Sequence, residues 1–350
     1  MKPNPDNGWE SLKVYNPGAI FHEGKYHLFY RAVGKSEDAH SAIGYATSVD
    51  GEHFDRYPKP ILDREEGNPL ELRGLEDPRI TKIGDTFYMA YAAYDGKLPR
   101  LCTAESKDLA IWHKQGIAFK NFDFISTDGR FWGLKGEGKF RVNAATKKQK
   151  NNWSKSGAIF PEKINNKYWM IFNDPTIWIA NSDDAINWNL AVKEPLIYSR
   201  TSTDLFDNLY VEVGPPPIKT NRGWFVMYHG INELHQYQLG FVLLELNNPL
   251  KVIYRSSGPI FGPREEYELG GMVDIVPGVM DLIWEGDERK IKLHLKEAEA
   301  KGFMPQVAFV PAAVLVDGNL RLFYGAGDQY ICTATARIDD ILATIDSVQA

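Results

Sequence analysis

The chain repeats itself. A strand of small and apolar residues, a tight polar turn and an aromatic strand recur five times along its 350 residues. The first copy reads Gly18-Ala19-Ile20-Phe21, turns at His22-Glu23-Gly24-Lys25 and continues as Tyr26-His27-Leu28-Phe29-Tyr30. The same hairpin returns with aromatic strands at Phe87–Tyr91, Tyr168–Phe172, Trp224–Tyr228 and Leu320–Tyr324. The turns carry Gly, Asn and Asp, which tolerate the positive φ of tight hairpins. In three copies a third strand follows and closes on Ser48-Val49-Asp50, Ser106-Lys107-Asp108 or Ser182-Asp183-Asp184. A unit of this size cannot bury its own faces, so the copies must stack on one another. Five β-units spread over the whole chain predict an all-β fold, a five-bladed β-propeller forming a single domain over 1–350. A two-sheet sandwich competes with it, but gives no reason for one aromatic hairpin to recur.

Two stretches break the pattern. Residues 281–302 carry Lys, Glu, Ala and Leu at helical density. They read as a partly helical insertion in the last blade, a lid over one face, or a solvated excursion. Residues 120–152 are long and polar and read as a loop between blades two and three.

Composition narrows the partners. The net charge of −6 argues against a broad nucleic-acid surface, which is normally basic. No run of 18 apolar residues exists and Met1–Asp6 has no apolar core, so a cytoplasmic protein with no membrane partner is expected. Cys102 and Cys332 form no disulfide framework or metal motif, and the eight His show no metal spacing. No metal and no cofactor are expected; self-association is left open.

The densest chemical cluster is Arg73-Gly74-Leu75-Glu76-Asp77-Pro78-Arg79, placed just before a strand. Pro78 is expected to hold Asp77 in extended geometry. A second cluster, Glu212-Val213-Gly214-Pro215-Pro216-Pro217-Ile218-Lys219, cannot sit inside a ladder and reads as a stiff edge or loop. The hairpin after it ends in Tyr228-His229-Gly230. Further acids stand at Glu265-Glu266-Tyr267-Glu268 and at Asp328. Singly these are ordinary loop residues. At equivalent blade ends they would converge on one axial pocket, as carboxylates and aromatics do in glycoside cleavage. Phosphate-loop, zinc-protease and Ser-elbow motifs are all missing from the sequence.

These residues resemble a known family. Tyr15-Asn16-Pro17-Gly18-Ala19, Tyr30-Arg31-Ala32, Gly74-Leu75-Glu76-Asp77-Pro78-Arg79, Gly214-Pro215-Pro216-Pro217-Ile218-Lys219-Thr220 and Tyr324-Gly325-Ala326-Gly327-Asp328 look like family 130 of the glycoside hydrolases. That family holds β-mannoside phosphorylases and β-1,2-mannosidases. The resemblance implies a five-bladed propeller acting on small mannosides with inversion. It implies Asp77 as general acid, its proton passing through a sugar hydroxyl. It also implies Asn16, Arg31 and Arg79 as ligands of the mannosyl unit, with Glu268 and Asp328 as acids of the same pocket.

The family divides by nucleophile. Phosphorylases gather Arg, Lys and His around inorganic phosphate as co-substrate, whereas hydrolases activate water with a carboxylate. Here Lys219 and His229, with Lys155, match the phosphate set. Against them, Phe172-Asn173-Asp174-Pro175 puts an amide and a carboxylate where phosphorylases often carry His-Arg-Pro, and Glu212 adds a second negative charge. The balance is read toward a hydrolase, with Glu212 and then Glu268 as base and Asp174 lining the substrate. A phosphorylase, and a propeller that only binds carbohydrate, stand as alternatives.

Overall fold

The computed structural model describes residues 1–35, 40–120, 153–269 and 306–347. Both 281–302 and most of 120–152 lie outside these residues. The described strands form five antiparallel sheets, the blades of a propeller. Blade one holds β1 (Lys13–His22), β2 (Lys25–Val33), β3 (Ser41–Ser48) and β4 (Asp55–Arg56). Blade two holds β5 (Leu75–Ile83), β6 (Thr86–Tyr94), β7 (Pro99–Ser106) and β8 (His113–Ile117). Blade three holds β9 (Ala158–Ile159), β10 (Tyr168–Phe172), β11 (Trp178–Ser182) and β12 (Asn189–Leu190). In blade four, β13 (Tyr210–Val213) and β14 (Ile218–Thr220) share one partner, β15 (Gly223–Ile231), which continues to β16 (Tyr237–Glu245) and β17 (Asn248–Arg255). Blade five holds β18 (Ala308–Val316), β19 (Asn319–Ala326) and β20 (Tyr330–Arg337). Two helices follow blades four and five, α1 (Glu266–Leu269) and α2 (Ile338–Ser347).

Within each blade the strands follow chain order, and the first strands meet around the axis. Thus β1 touches β5 and β18, and β5 touches β9. The aromatic hairpins face sideways, and each apolar cluster fills the gap between neighbouring blades. Phe29 and Tyr45 pack on Met89 and Tyr91 between blades one and two. Phe172 and Trp178 meet Tyr88 between blades two and three. Trp224 joins Phe160 and Ile171 between blades three and four. Val14 and Leu28 close the ring on Ala312 and Phe323 of blade five. Helix α2 buries Ile338, Leu342 and Ile345, one stripe of its surface, against Phe225 and Phe241 at the join of blades four and five. Each such aromatic or aliphatic side chain contributes on the order of 1.5–3 kcal/mol when fully buried.

The Ser-x-Asp turns are one local structure built three times. Ser48, Ser106 and Ser182 each accept the backbone N–H three residues on, at 2.8, 2.9 and 3.0 Å. Asp50, Asp108 and Asp184 each accept two further N–H groups. Trp112 and Trp188 then fold back and donate to the carbonyls of Leu109 and Ala185. Short polar side chains thereby satisfy the third strand's terminal backbone and set the exit to the next blade.

The first strands begin earlier than the hairpin pattern suggests, and each is broken at one place. In β1, Asn16 and Pro17 together face Tyr30; in β5, Asp77 and Pro78 face Tyr91; in β18, Val310 and Pro311 face Tyr324. Each is a β-bulge, two residues opposite one. Proline is tolerated there because it has no N–H to give to the ladder. Asp77 is therefore inside a strand, and it is not extended. Its φ is +53°, and that of Asn16 is +46°. The proline ring disfavours the right-handed region for the preceding residue, and Asn and Asp are the side chains that best tolerate the left-handed one. In blade four the triple proline interrupts the first strand more widely, as a loop between β13 and β14 in which four residues face two of β15.

Candidate active site

The bulges of β1 and β5 aim Asn16 and Asp77 at each other. Asn16 Nδ2 donates to Asp77 Oδ1 at 3.0 Å, and both side chains are buried. The first strands approach closely enough that a Cβ on Gly18 would lie 2.5 Å from the Pro78 carbonyl oxygen, which only glycine allows. Arg31, from β2, lies over the Tyr15 ring and reaches Glu76 at 2.5 Å and Asp77 Oδ1 at 3.5 Å. Among the described residues Asp77 Oδ2 takes no hydrogen bond, which leaves that oxygen for a ligand hydroxyl. Asp328 sits in the link between β19 and β20, close enough to feel Lys13, Arg31 and Asp77. Burial raises the pKa of Asp328 and of Glu76, with Arg31 opposing in both cases.

A second group faces this one from blades three and four. Lys155 Nζ lies 3.0 Å from Glu212 Oε1 and 3.6 Å from Asp174 Oδ2. Ser156 donates to Glu212 Oε1 at 2.6 Å, and Trp153 donates to Asp174 Oδ1 at 2.8 Å. Burial raises the pKa of Glu212 despite the ammonium beside it. Burial also works against the charge on Lys155, but Asp174, Glu212 and Asp77 together hold its pKa well above the usual value. Lys155 is thus a fixed cation between two carboxylates.

Arg79 has a different task from the one expected. Its Nε donates to Gly214 O at 2.7 Å, its Nη2 to Val213 O at 2.8 Å and its Nη1 to Asp77 O at 3.3 Å. The guanidinium spends three donors tying the bulge of blade two to the strand break of blade four. Burial lowers its pKa to about 10, so it stays charged at neutral pH. It holds Asp77 and the Glu212 strand in register and offers a ligand only its remaining N–H groups.

Three expected residues fall elsewhere or in another form. Lys219 is half exposed and pairs with Glu162 at 2.6 Å, near the hairpin end of its strand and away from the cluster. Glu268 accepts Tyr324 O–H at 2.5 Å on one oxygen and the N–H groups of Arg264 and Glu265 on the other. Blades one and four contain the same latch: Tyr30 donates to Glu10 and Tyr228 to Asp207, both at 2.7 Å. In each case the carboxylate comes from the segment preceding that blade's first strand. Glu268 is a member of this structural set and not a free base.

His229 is in the site but uncharged. It is fully buried, stacked on Phe309 at 4.4 Å, and its Nε2 accepts the Val310 N–H at 2.8 Å. The proton therefore sits on Nδ1, near the Val213 and Glu212 carbonyls but without a well-formed hydrogen bond. Burial, helped by Arg79, lowers its pKa to about 3. An unfolded His titrates near 6.5, so between pH 6.5 and about 3 the unfolded chain binds a proton that the folded chain refuses. Stability accordingly falls as pH is lowered through that window, by at most about 1.4 kcal/mol per pH unit from this group. Denaturant unfolding at pH 7 and pH 5 should show a smaller loss for His229→Phe, which keeps the stacked ring without titrating. Equal losses would mean that His229 is charged in the folded protein.

Motif reading passed over Trp153 and Ser156, and weighed Glu76 and Asn173 only as neighbours within their motifs, without a role in the site. Asn173 is fully buried, and neither its Oδ1 nor its Nδ2 has a partner. Its neighbours were the available signal, since Ser156 follows Lys155 and Asn173 precedes Asp174. Among the described residues no group of three or more His, Cys, Asp or Glu is placed to hold a metal ion, and no helix is long and apolar enough to cross a membrane.

The model of glycoside hydrolase family 130, described as β-1,4-mannooligosaccharide phosphorylase, matches residues 6–293. The chain belongs to glycoside hydrolase family 130. It is an enzyme of that family, and its five sheets form a five-bladed β-propeller. A 1,2-β-oligomannan phosphorylase of Thermoanaerobacter sp. (strain X514) is 33% identical over 97% of this chain and 95% of its own. A β-1,2-mannobiose phosphorylase of the same organism is 32% identical over 95% and 93%. Among solved structures, one from a study of family 130 glycoside hydrolases that target β-1,2-mannosidic linkages in Candida mannan superimposes with a TM-score of 0.76. It is 26% identical and covers 97% of this chain and 91% of its own.

Proposed function

We propose that this family 130 enzyme is an inverting β-1,2-mannoside phosphorylase, releasing α-mannose 1-phosphate from short mannosides. This departs from the hydrolase favoured by the motifs, and one observation carries the change. Both candidate bases are already engaged, Glu268 by Tyr324 and backbone, Glu212 by Ser156 and Lys155. The fixed ammonium of Lys155 lies beside Glu212, and the backbone of Lys155 accepts at 2.8 Å from the N–H of Asn173, whose buried side-chain amide has no partner. A buried amide without partners is costly, and phosphate oxygens would accept from it and from Lys155. The phosphorylase relatives, at 32–33% identity over nearly the full chain, support the same reading.

In this mechanism the Asp77 proton reaches the glycosidic oxygen through a sugar hydroxyl while a phosphate oxygen attacks the anomeric carbon from the opposite face. The C–O bond to the leaving sugar breaks as the C–O bond to phosphate forms. Hydrogen phosphate supplies the proton that restores Asp77, so the reaction balances without an outside acid. Asn16 and Arg31 orient Asp77, and Arg79 fixes the two inner strands.

A hydrolase is the second reading, favoured by the pairing of Lys155 with both Asp174 and Glu212. Two carboxylates beside the cation oppose a phosphate dianion. Incubation with β-1,2-mannobiose, with and without inorganic phosphate, separates the two. Mannose 1-phosphate formed only with phosphate is the expected result. Free mannose at equal rates in both tubes would establish the hydrolase and return Glu212 to the role of base.

A further inference from the structure

Resting on that reading of the axial site, we infer that a groove beside blade four is a distal subsite for further sugar units of a neutral β-mannoside chain. The groove has room of about 560 Å³ and is walled by Asp204, Phe206, Asn208, Asn232, Gln238 and Pro259. A volume of this order is ordinary for small-molecule sites.

Strand direction places it on the catalytic face. First strands run from that face toward the hairpin turns, so Asn16, Asp77 and Glu212 lie near their beginnings. The links between second and third strands return to the same face, as Asp328 shows in blade five. Residues 232–236 are that link in blade four. Asn208 stands two residues before β13, four residues from Glu212, which separates them by at most about 13 Å. A chain of a few sugars can therefore reach from the Glu212 side of the axial site to the groove.

The chemistry of the wall selects the ligand. Asn208 is 7% exposed; its Nδ2 donates to Thr203 O at 2.9 Å, while its buried Oδ1 has no donor. An orphaned acceptor calls for a ligand that donates, and a sugar hydroxyl does so. Asp204 and Glu233 supply further acceptors, which disfavours an anion, and the Gln238 amide offers both kinds of group. The groove thus suits a neutral polyol and not the phosphate that the axial site would hold.

The test compares β-1,2-mannobiose with a β-1,2-linked mannohexaose. For Asn208→Ala and Gln238→Ala, kcat/KM on the hexaose should fall about tenfold, the worth of one or two hydrogen bonds, with mannobiose changed less than twofold. Equal losses on both substrates, or none on either, would overturn the groove. Calorimetric binding of the hexaose reads the groove apart from turnover. Weaker binding by Gln238→Ala, whose side chain is partly exposed, supports it, and unchanged affinity overturns it. If the wild type turns over neither sugar, it is the reading of the axial site that fails, and the calorimetric comparison still decides the groove.

Discussion

Asp77→Asn lowers kcat on β-1,2-mannobiose by roughly 10²–10⁴-fold, the range for losing a positioned general acid. The substitution keeps the shape of the side chain, and an amide can still meet Asn16 by turning its oxygen toward Nδ2. The bulge conformation at φ +53° is also open to Asn. Folding should therefore be little changed, and thermal unfolding of the variant checks this. What disappears is the proton that the leaving sugar needs. A substrate with a good leaving group, such as an activated aryl mannoside, needs that proton less, and the variant should recover much of its rate on it. Such a selective recovery distinguishes a lost acid from a displaced strand, which would slow both substrates alike. Near-normal turnover of mannobiose by the variant would remove Asp77 from the mechanism.

The repeat was legible because each hairpin carries its own turn and its own aromatic face, and these are local properties. The bulges were not, for a physical reason. By local rules a proline marks the border of a strand, so Pro78 placed Asp77 outside β5. Only the partner strand shows that two residues face one tyrosine and that the ladder resumes beyond. The recurrence of X-Pro opposite Tyr30, Tyr91 and Tyr324 was nonetheless written in the chain. Lys219 and Glu268 were named by resemblance, and their surroundings in the fold are not visible in the motifs that carry it. Lys219 is seven residues beyond Glu212, up to about 23 Å along extended chain, and the strand carries it away from the face where the acid sits. Glu268 looks like a pocket acid until the hydroxyl of Tyr324, 56 residues later, is seen against it. Lys155, Asp174 and Glu212 come from blades three and four, and only closure of the propeller reveals that they share one ion-pair network.

That network gives the second large effect. Lys155→Met removes the ammonium from between Glu212 and Asp174 and leaves Glu212, 1% exposed, without its counter-charge. Breaking such a pair costs on the order of 3 kcal/mol, the lower end of the range for buried pairs because the Lys155 side chain is 23% exposed. The denaturation midpoint should fall accordingly. If Lys155 also seats phosphate, the variant's KM for phosphate should rise at least about tenfold, the equivalent of one charge-assisted hydrogen bond. The two consequences come apart in the double variant Lys155→Met with Glu212→Gln. Neutralising Glu212 removes the stranded charge, so stability should return most of the way. Phosphate affinity should not return, because no cation has been restored. Recovery of both together would make Lys155 a purely structural partner of Glu212. An unchanged phosphate KM in the single variant would do the same, and would move the nucleophile from phosphate to water held near Glu212. The outcome thus turns on whether the charge of Lys155 is spent on its two carboxylates or shared with a third anion. The protein's fold permits both, since an ammonium has three donors, of which Glu212 at 3.0 Å takes one, while Asp174 at 3.6 Å attracts it by charge alone.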